Sequence, residues 1–301
     1  MHRRILSHEQ KQARAGFWFS SPVIFGLIIW VLLPMAGVGA ISLTDWNVLA
    51  APNWVGLANY VKLFTTDFFF WNSLWVTIKF VVLNVIFGIL FSLVVAMLLN
   101  QKVRGRSMFR TIFYLPSIMP IVASSALWMW LFSPDFGVLN LILQAVGLPR
   151  SMWLSDQASV VPSIVLMNVW GTAGNIIVIF LASLQGVPRQ LHEAVELDGG
   201  TWWHRLWAVT VPMISPVIFF NVVTGVINGF SVFTQAYVMT NGGPNNASLF
   251  HVMLLYREGF QRNNFGGAAA LSVILIAIVL IIGLALFRTS KKWVYYEGEN
   301  Q

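Results

Sequence analysis

FVVLNVIFGILFSLVVAMLL, from Phe80 to Leu99, is a run of 20 residues without a charge. As a helix rising about 1.5 Å per residue it is about 30 Å long, the thickness of a bilayer's hydrocarbon core. Traced upstream, the apolar segment begins near Leu74 and takes in Lys79, whose long stem lets the ammonium reach the interface. Five more segments read the same way: Phe17 to Ile41, Thr111 to Phe132, Val160 to Leu184, Trp207 to Phe233 and Gly267 to Phe287. The expected fold is an all-α membrane protein with six transmembrane helices. Residues 1–16 form an amino-terminal arm, 17–287 the spanning domain and 288–301 a tail.

Composition agrees. Of 301 residues, 57% are hydrophobic and 10% charged, against about 25% charged in a soluble domain. With 23 Phe and 14 Trp there are too many apolar rings for one water-soluble core, which excludes an ordinary soluble enzyme and a disordered chain. The absence of cysteine excludes disulfides, thiolate metal sites and a cysteine nucleophile. The net charge of +7 is a matter of topology, not of nucleic acid. Thirteen of the 18 Lys and Arg fall in the amino-terminal arm (Arg3, Arg4, Lys11, Arg14), the second loop (Lys102, Arg104, Arg106, Arg110), the fourth loop (Arg189, Arg205) and the tail (Arg288, Lys291, Lys292). The positive-inside rule places those segments, and both termini, in the cytoplasm, and six spans return the chain to its starting side. The first apolar run is too long for a cleaved signal peptide and five spans follow it.

Polar residues within the spans fall into patterns. Asn221, Asn228 and Gln235 lie seven apart, with Thr224, Gly225 and Ser231 between them, and would make one stripe on the fifth span. The fourth span carries Asn168, Gly171 or Thr172, and Asn175; the third carries Ser117, Ser124 and Ser125. Amides and hydroxyls without full charges suit a neutral hydroxylated solute. Asn84, Gly88 and Ser92 on the second span read better as helix packing. Pro116 with Pro120, and Pro212 with Pro216, predict bends, either static or serving a gate.

The fourth loop runs Pro188-Arg189-Gln190-Leu191-His192-Glu193-Ala194-Val195-Glu196-Leu197-Asp198-Gly199-Gly200. A short helix from Pro188 to Asp198 is expected, ended by Gly199, with Thr201 capping a helix that re-enters at Trp202 and Trp203. Three acids in six residues fit poorly on anionic lipid. His192-Glu193 lacks the second histidine of H-E-x-x-H, because Glu196 stands in its place, so no metal site is expected. A docking helix for a soluble partner is the remaining reading.

Glu193-Ala194-Val195, Asp198-Gly199 and Val209-Thr210-Val211-Pro212 resemble the EAA loop of permease subunits of binding-protein-dependent ABC importers. The resemblance extends through Thr44-Asp45-Trp46, Gly56-Leu57-Ala58-Asn59-Tyr60, Arg110 to Pro116, Phe136-Gly137-Val138-Leu139-Asn140 and Thr240-Asn241-Gly242-Gly243-Pro244, and is nearest to the carbohydrate branch, MalF or UgpA type. The sequence departs from the motif at Val195 and Gly200, where alanine is usual, and the maltose protein's extra spans and large external insert are not expected of it. The resemblance implies a MetI-like bundle of the type I importers, with a coupling loop at about 185–206. Glu193, Ala194, Asp198 and Gly199 would meet the ATPase. Ser117, Asn168, Trp170, Gly171, Thr172, Asn228 and Ser231 would line the substrate pathway. It also implies a second permease, two copies of an ABC ATPase holding ATP and Mg, an extracytoplasmic solute-binding protein, a carbohydrate substrate and a bacterial or archaeal cytoplasmic membrane. No Gly-Lys pair occurs, so the chain offers no P-loop of its own. A self-sufficient secondary transporter or channel is the alternative; it would usually need intramembrane acids, and none of the 11 acids lies deep in a span. An intramembrane enzyme finds no support, with neither paired aspartates nor G-x-S-x-G.

Overall fold

The computed structural model describes residues 8–101 and 105–295; Arg3, Arg4, Lys102, Arg104 and the end of the tail lie outside the described residues. The fold is helical. In chain order come α1 (His8–Leu27), running through a π turn (Ile28–Leu32) into α2 (Leu33–Ile41), then α3 (Ala58–Thr65), α4 (Phe68–Asn100), α5 (Arg106–Tyr114), α6 (Ile121–Leu131) and α7 (Val138–Ala145). After these follow α8 (Val160–Gly186), α9 (Arg189–Leu197), α10 (Trp202–Arg205), α11 (Val211–Phe230), α12 (Thr234–Met239), α13 (His251–Tyr256) and α14 (Phe265–Ser290). Among the described residues the β pairing is limited to one antiparallel bridge, Thr44 with Trp54. Among the described residues, five helical stretches are long and apolar enough to cross a membrane: Ala15–Ile41, Phe68–Asn100, Val160–Gly186, Trp202–Phe230 and Phe265–Ser290; a sixth crossing requires α5 and α6 to count together.

The described residues form two compact units, one within 8–65 and 257–273, the other within 66–101, 105–256 and 274–295. In the first, side chains tie the loop after α2. Asn59 Nδ2 donates to the carbonyls of Ser42 and Thr44, both at 2.8 Å. The Asp45 carboxylate accepts from the Asn53 backbone amide at 2.9 Å and from its side chain at 3.2 Å, which holds Asp45 below the usual carboxylate range. The Trp46 carbonyl accepts from the amides of Phe265 and Gly266, and a Cβ at Gly266 would fall 2.0 Å from the Thr44 oxygen, so only glycine fits there. Buried Glu258 accepts from Arg262 and, at 3.0 Å, from Asn264.

The second unit is built on α4 and α8. Val95, Ala96 and Leu99 pack with Ala173, Ile177, Phe180, Leu181 and Leu184 in one apolar cluster. Asp67 caps α4 by accepting from the amides of Phe69 and Phe70. The third span is not the single kinked helix that its sequence suggests. Its halves, 106–118 and 121–131, meet at 104°. The reason is the two prolines: Met119, preceding Pro120, is extended at φ −75°, ψ 137°, as a residue before proline tends to be. The break is seated on α8 at Gly174, where a Cβ would lie 2.8 Å from the Phe113 oxygen and 2.9 Å from both Ser117 Oγ and Tyr114 Cα. The fifth span also differs: its helix passes through a π turn (Leu206–Thr210) just before Pro212 and ends at Phe230, not Phe233.

Candidate translocation cavity and coupling segment

Residues of α4, α6, α8, α11 and α12, with the segment joining the last two, line an open cavity of about 500 Å³. Close approach of α11 to α4 helps to create it. A Cβ at Gly225 would sit 3.1 Å from Val85 Cγ2 and one at Gly229 2.9 Å from Val81 Cγ2, a small-residue contact at four-residue spacing. Ten amide and hydroxyl side chains line the cavity, and among the described residues its lining carries no charge.

Three of the amides form a chain across the helices. Asn168 Nδ2 donates to Asn84 Oδ1 at 2.8 Å, and Gln235 Nε2 donates to Asn168 Oδ1 at 2.9 Å. Several other polar groups are partly occupied by their own helix: Thr172 donates to the Asn168 carbonyl, Asn221 to Val217, Thr224 to Phe220 and Ser231 to Ile227. Asn175 and Asn228 also line the cavity and, among the described residues, make no side-chain hydrogen bond, so both amides are free for a solute.

Of the pathway candidates read from the sequence, Asn168, Thr172, Asn228 and Ser231 line this cavity. Ser117, Trp170 and Gly171 are not part of its wall. Ser117 donates to the Tyr114 carbonyl at 2.7 Å and abuts Gly174. The Trp170 ring packs 5.5 Å from that of Trp128, against the cluster of Trp128, Phe132, Met167 and Met239. Asn84 departs from the packing role read from the sequence, and Gln235 reaches the wall by another route than the expected stripe. Asn84 shares a face with Gly88 and Ser92, but those two are buried while Asn84 turns into the cavity. Gln235 is not on a continuous stripe with Asn221 and Asn228, because the helix stops at Phe230; it lies on α12 and returns to the same wall.

The fourth loop folds into α9, flanked by Pro188 and Asp198. It ends in a Schellman turn: the Gly199 amide donates to the Glu196 carbonyl at 3.0 Å and the Gly200 amide to the Val195 carbonyl at 2.8 Å, with Gly199 at φ +76°. A Cβ at Gly200 would meet Val195 Cγ1 at 2.5 Å and Val195 O at 2.7 Å, so valine at one site and glycine at the other are mutually fitted. Thr201 opens α10, its hydroxyl 2.8 Å from His204 Nδ1. Glu193, Ala194, Asp198 and Gly199 are all exposed. His192 is half-buried; burial, and then the nearby Arg205 guanidinium, lower its pKa from 6.5.

Spanning helices, a charge-free polar cavity and an exposed loop helix define a multi-pass membrane permease. Residues 88–294 match the family described as binding-protein-dependent transport system inner membrane component, and the chain belongs to that family. It is 36% identical to the probable ABC transporter permease protein YesP of Bacillus subtilis, over 97% of this chain and 95% of that one. It is 28% identical to the trehalose/maltose transport system permease protein MalF of Thermococcus litoralis, over 93% and 95%. Among solved structures it is similar to a chain of a bacterial alginate ABC transporter in complex with an alginate pentasaccharide-bound periplasmic protein, with a TM-score of 0.80 and 24% identity, covering 94% of this chain and 96% of that one. The chain is a permease subunit of an ATP-driven importer.

Proposed function

We propose that this permease carries a neutral, hydroxyl-rich solute, a sugar or polyol, through the cavity between α4, α8 and α11. The observation that carries the reading is the cavity wall: ten amide and hydroxyl groups and, among the described residues, no ion. Such a wall exchanges hydrogen bonds with hydroxyls but leaves a phosphate or carboxylate without a countercharge. The chain supplies half of the pathway, and a second permease supplies the other half. Both termini face the cytoplasm. There α9 enters a cleft of an ABC ATPase, two copies of which bind ATP and Mg, while a solute-binding protein delivers substrate from outside. Binding and hydrolysis of ATP rock the helical units between inward and outward access.

The test is uptake by cells that express the chain with its operon partners and lack other routes, using radiolabelled maltose, glucose, glycerol, glycerol phosphate and glutamate. Saturable, ATP-dependent uptake confined to one or more neutral solutes is expected. Uptake of the anions alone overturns the reading. So does solute entry into liposomes that contain this chain without an ATPase, which is the behaviour of a secondary transporter.

A further inference from the structure

Three acids sit within Glu193 to Asp198, and the structure separates their roles. At 100° per residue, Gln190, Glu193, Ala194 and Leu197 share one side of α9, and Leu197 there is 88% exposed. His192 and Glu196, one turn apart, share another side. Among the described residues one side-chain ion pair joins α9 to α10: Glu196 with Arg205, across the Gly199–Gly200 turn.

We propose that Glu196 and Arg205 are a positioning pair, which sets the angle of α9 against the fifth span so that displacement of α9 moves α10 and α11. This rests on reading α9 as the coupling helix. Beyond the two backbone hydrogen bonds of the Schellman turn and the fit of Val195 to Gly200, little else in the loop resists rotation. Every residue of α9 is exposed or half-buried, so no core side chain anchors it. Behind it lies a cavity of about 500 Å³ bounded by His192, Arg205, Trp202, Leu184 and Leu98, where packing against the spans would otherwise be found. The covalent link is a pair of glycines, the residues with the greatest backbone freedom. Arg205 is the first long cation of the re-entering helix, and its proximity to both Glu196 and His192 puts it against the inner side of α9. Glu196 is thus directed within the subunit, and Glu193 outward to the partner.

The chain has no cysteine, so a single reporter can be introduced cleanly. In the assembled importer carrying Asn228→Cys, labelling of the cavity by a water-soluble maleimide is compared before and after trapping with ATP and vanadate. Trapping should change the labelling rate. With Glu196→Gln or Arg205→Gln that change should shrink by about fivefold or more, the lower range of an allosteric coupling, while the ATPase still co-purifies. Arg205→Lys should keep most of the change, and the swap Glu196→Arg with Arg205→Glu should restore it. A full labelling change in both Gln variants overturns the proposal, as does a swap that restores nothing. Loss of co-purification in Glu196→Gln but not in Arg205→Gln also overturns it, since Glu196 would then be a docking acid. Glu193→Lys is the separate control: undiminished co-purification there defeats the coupling-helix reading itself, whatever the pair does.

Discussion

Asn168 separates an amide that builds the cavity wall from amides that are free to meet a solute. Asn168→Ala removes two hydrogen bonds between different helices, to Asn84 at 2.8 Å and from Gln235 at 2.9 Å. Hydrogen bonds between membrane helices average about 0.6 kcal/mol. The two together give about 1.2 kcal/mol, and Gln235, only 6% exposed but on the cavity wall, keeps a small part of the cost of a poorly solvated donor. Asn84 faces the cavity, where water can replace the lost partner. The net loss is therefore about 1–2 kcal/mol. At roughly 2–4 °C per kcal/mol for a unit of this size, the unfolding midpoint in detergent should fall by about 2–8 °C. Asn228→Ala removes an amide from the same wall without breaking a side-chain bond, and should leave the midpoint unchanged within about 1 °C. Both variants should lower uptake of the neutral solute. Thermal unfolding followed by tryptophan fluorescence, paired with uptake kinetics, separates the two roles. Equal midpoints for Asn168→Ala and Asn228→Ala would refute the bridging role of Asn168.

Further outcomes follow from close contacts and one titration. Gly174→Ala pushes a methyl group into the backbone of the broken third span and should destabilise by about 1–3 kcal/mol, read as a lowered midpoint. Asn140→Ala takes away four hydrogen bonds at 2.9–3.0 Å, two donated to Pro134 O and Ser151 O and two accepted from Ser151 N and Trp153 Nε1; at about 0.5–1.5 kcal/mol each, the loss should reach about 2–6 kcal/mol and loosen the 134–153 segment to protease. Gly200→Ala should weaken ATPase co-purification, and adding Val195→Ala should recover it only in part, because the Val195 carbonyl still lies 2.7 Å from the new methyl. His192 has a lowered pKa in the fold, so below pH 6.5 the unfolded segment takes up the proton more readily. The order of α9 should therefore fall with pH between 6.5 and the lowered value and stay constant above 6.5; hydrogen exchange of the α9 amides, with His192→Gln as the flat control, checks it.

Much of the architecture is readable in one dimension. The run from Phe80 to Leu99 declares a membrane helix because its length alone matches the bilayer, whatever it packs against. The loop helix is legible for a similar reason, since Pro188, Gly199 and Thr201 punctuate the backbone locally. The bend between α5 and α6 is half legible: Pro116 and Pro120 announce a disturbance, but its 104° depends on Gly174 in a span some 50 residues later. The cavity wall is the least legible part. Asn84 and Ser92 share one helical face and one polar character, yet one lines the cavity and the other is fully buried. Trp170 and Asn168 stand two residues apart, and only the amide reaches the wall.

Apolar run length and local backbone chemistry are enough to show that the chain crosses a membrane, about how many times, and where a short exposed helix interrupts the fourth loop. Which polar groups share a cavity, and which acid turns inward to Arg205, is set by the packed fold. Those depend on helix rotation and on breaks such as the one after Phe230, which are set by contacts between segments far apart in the chain.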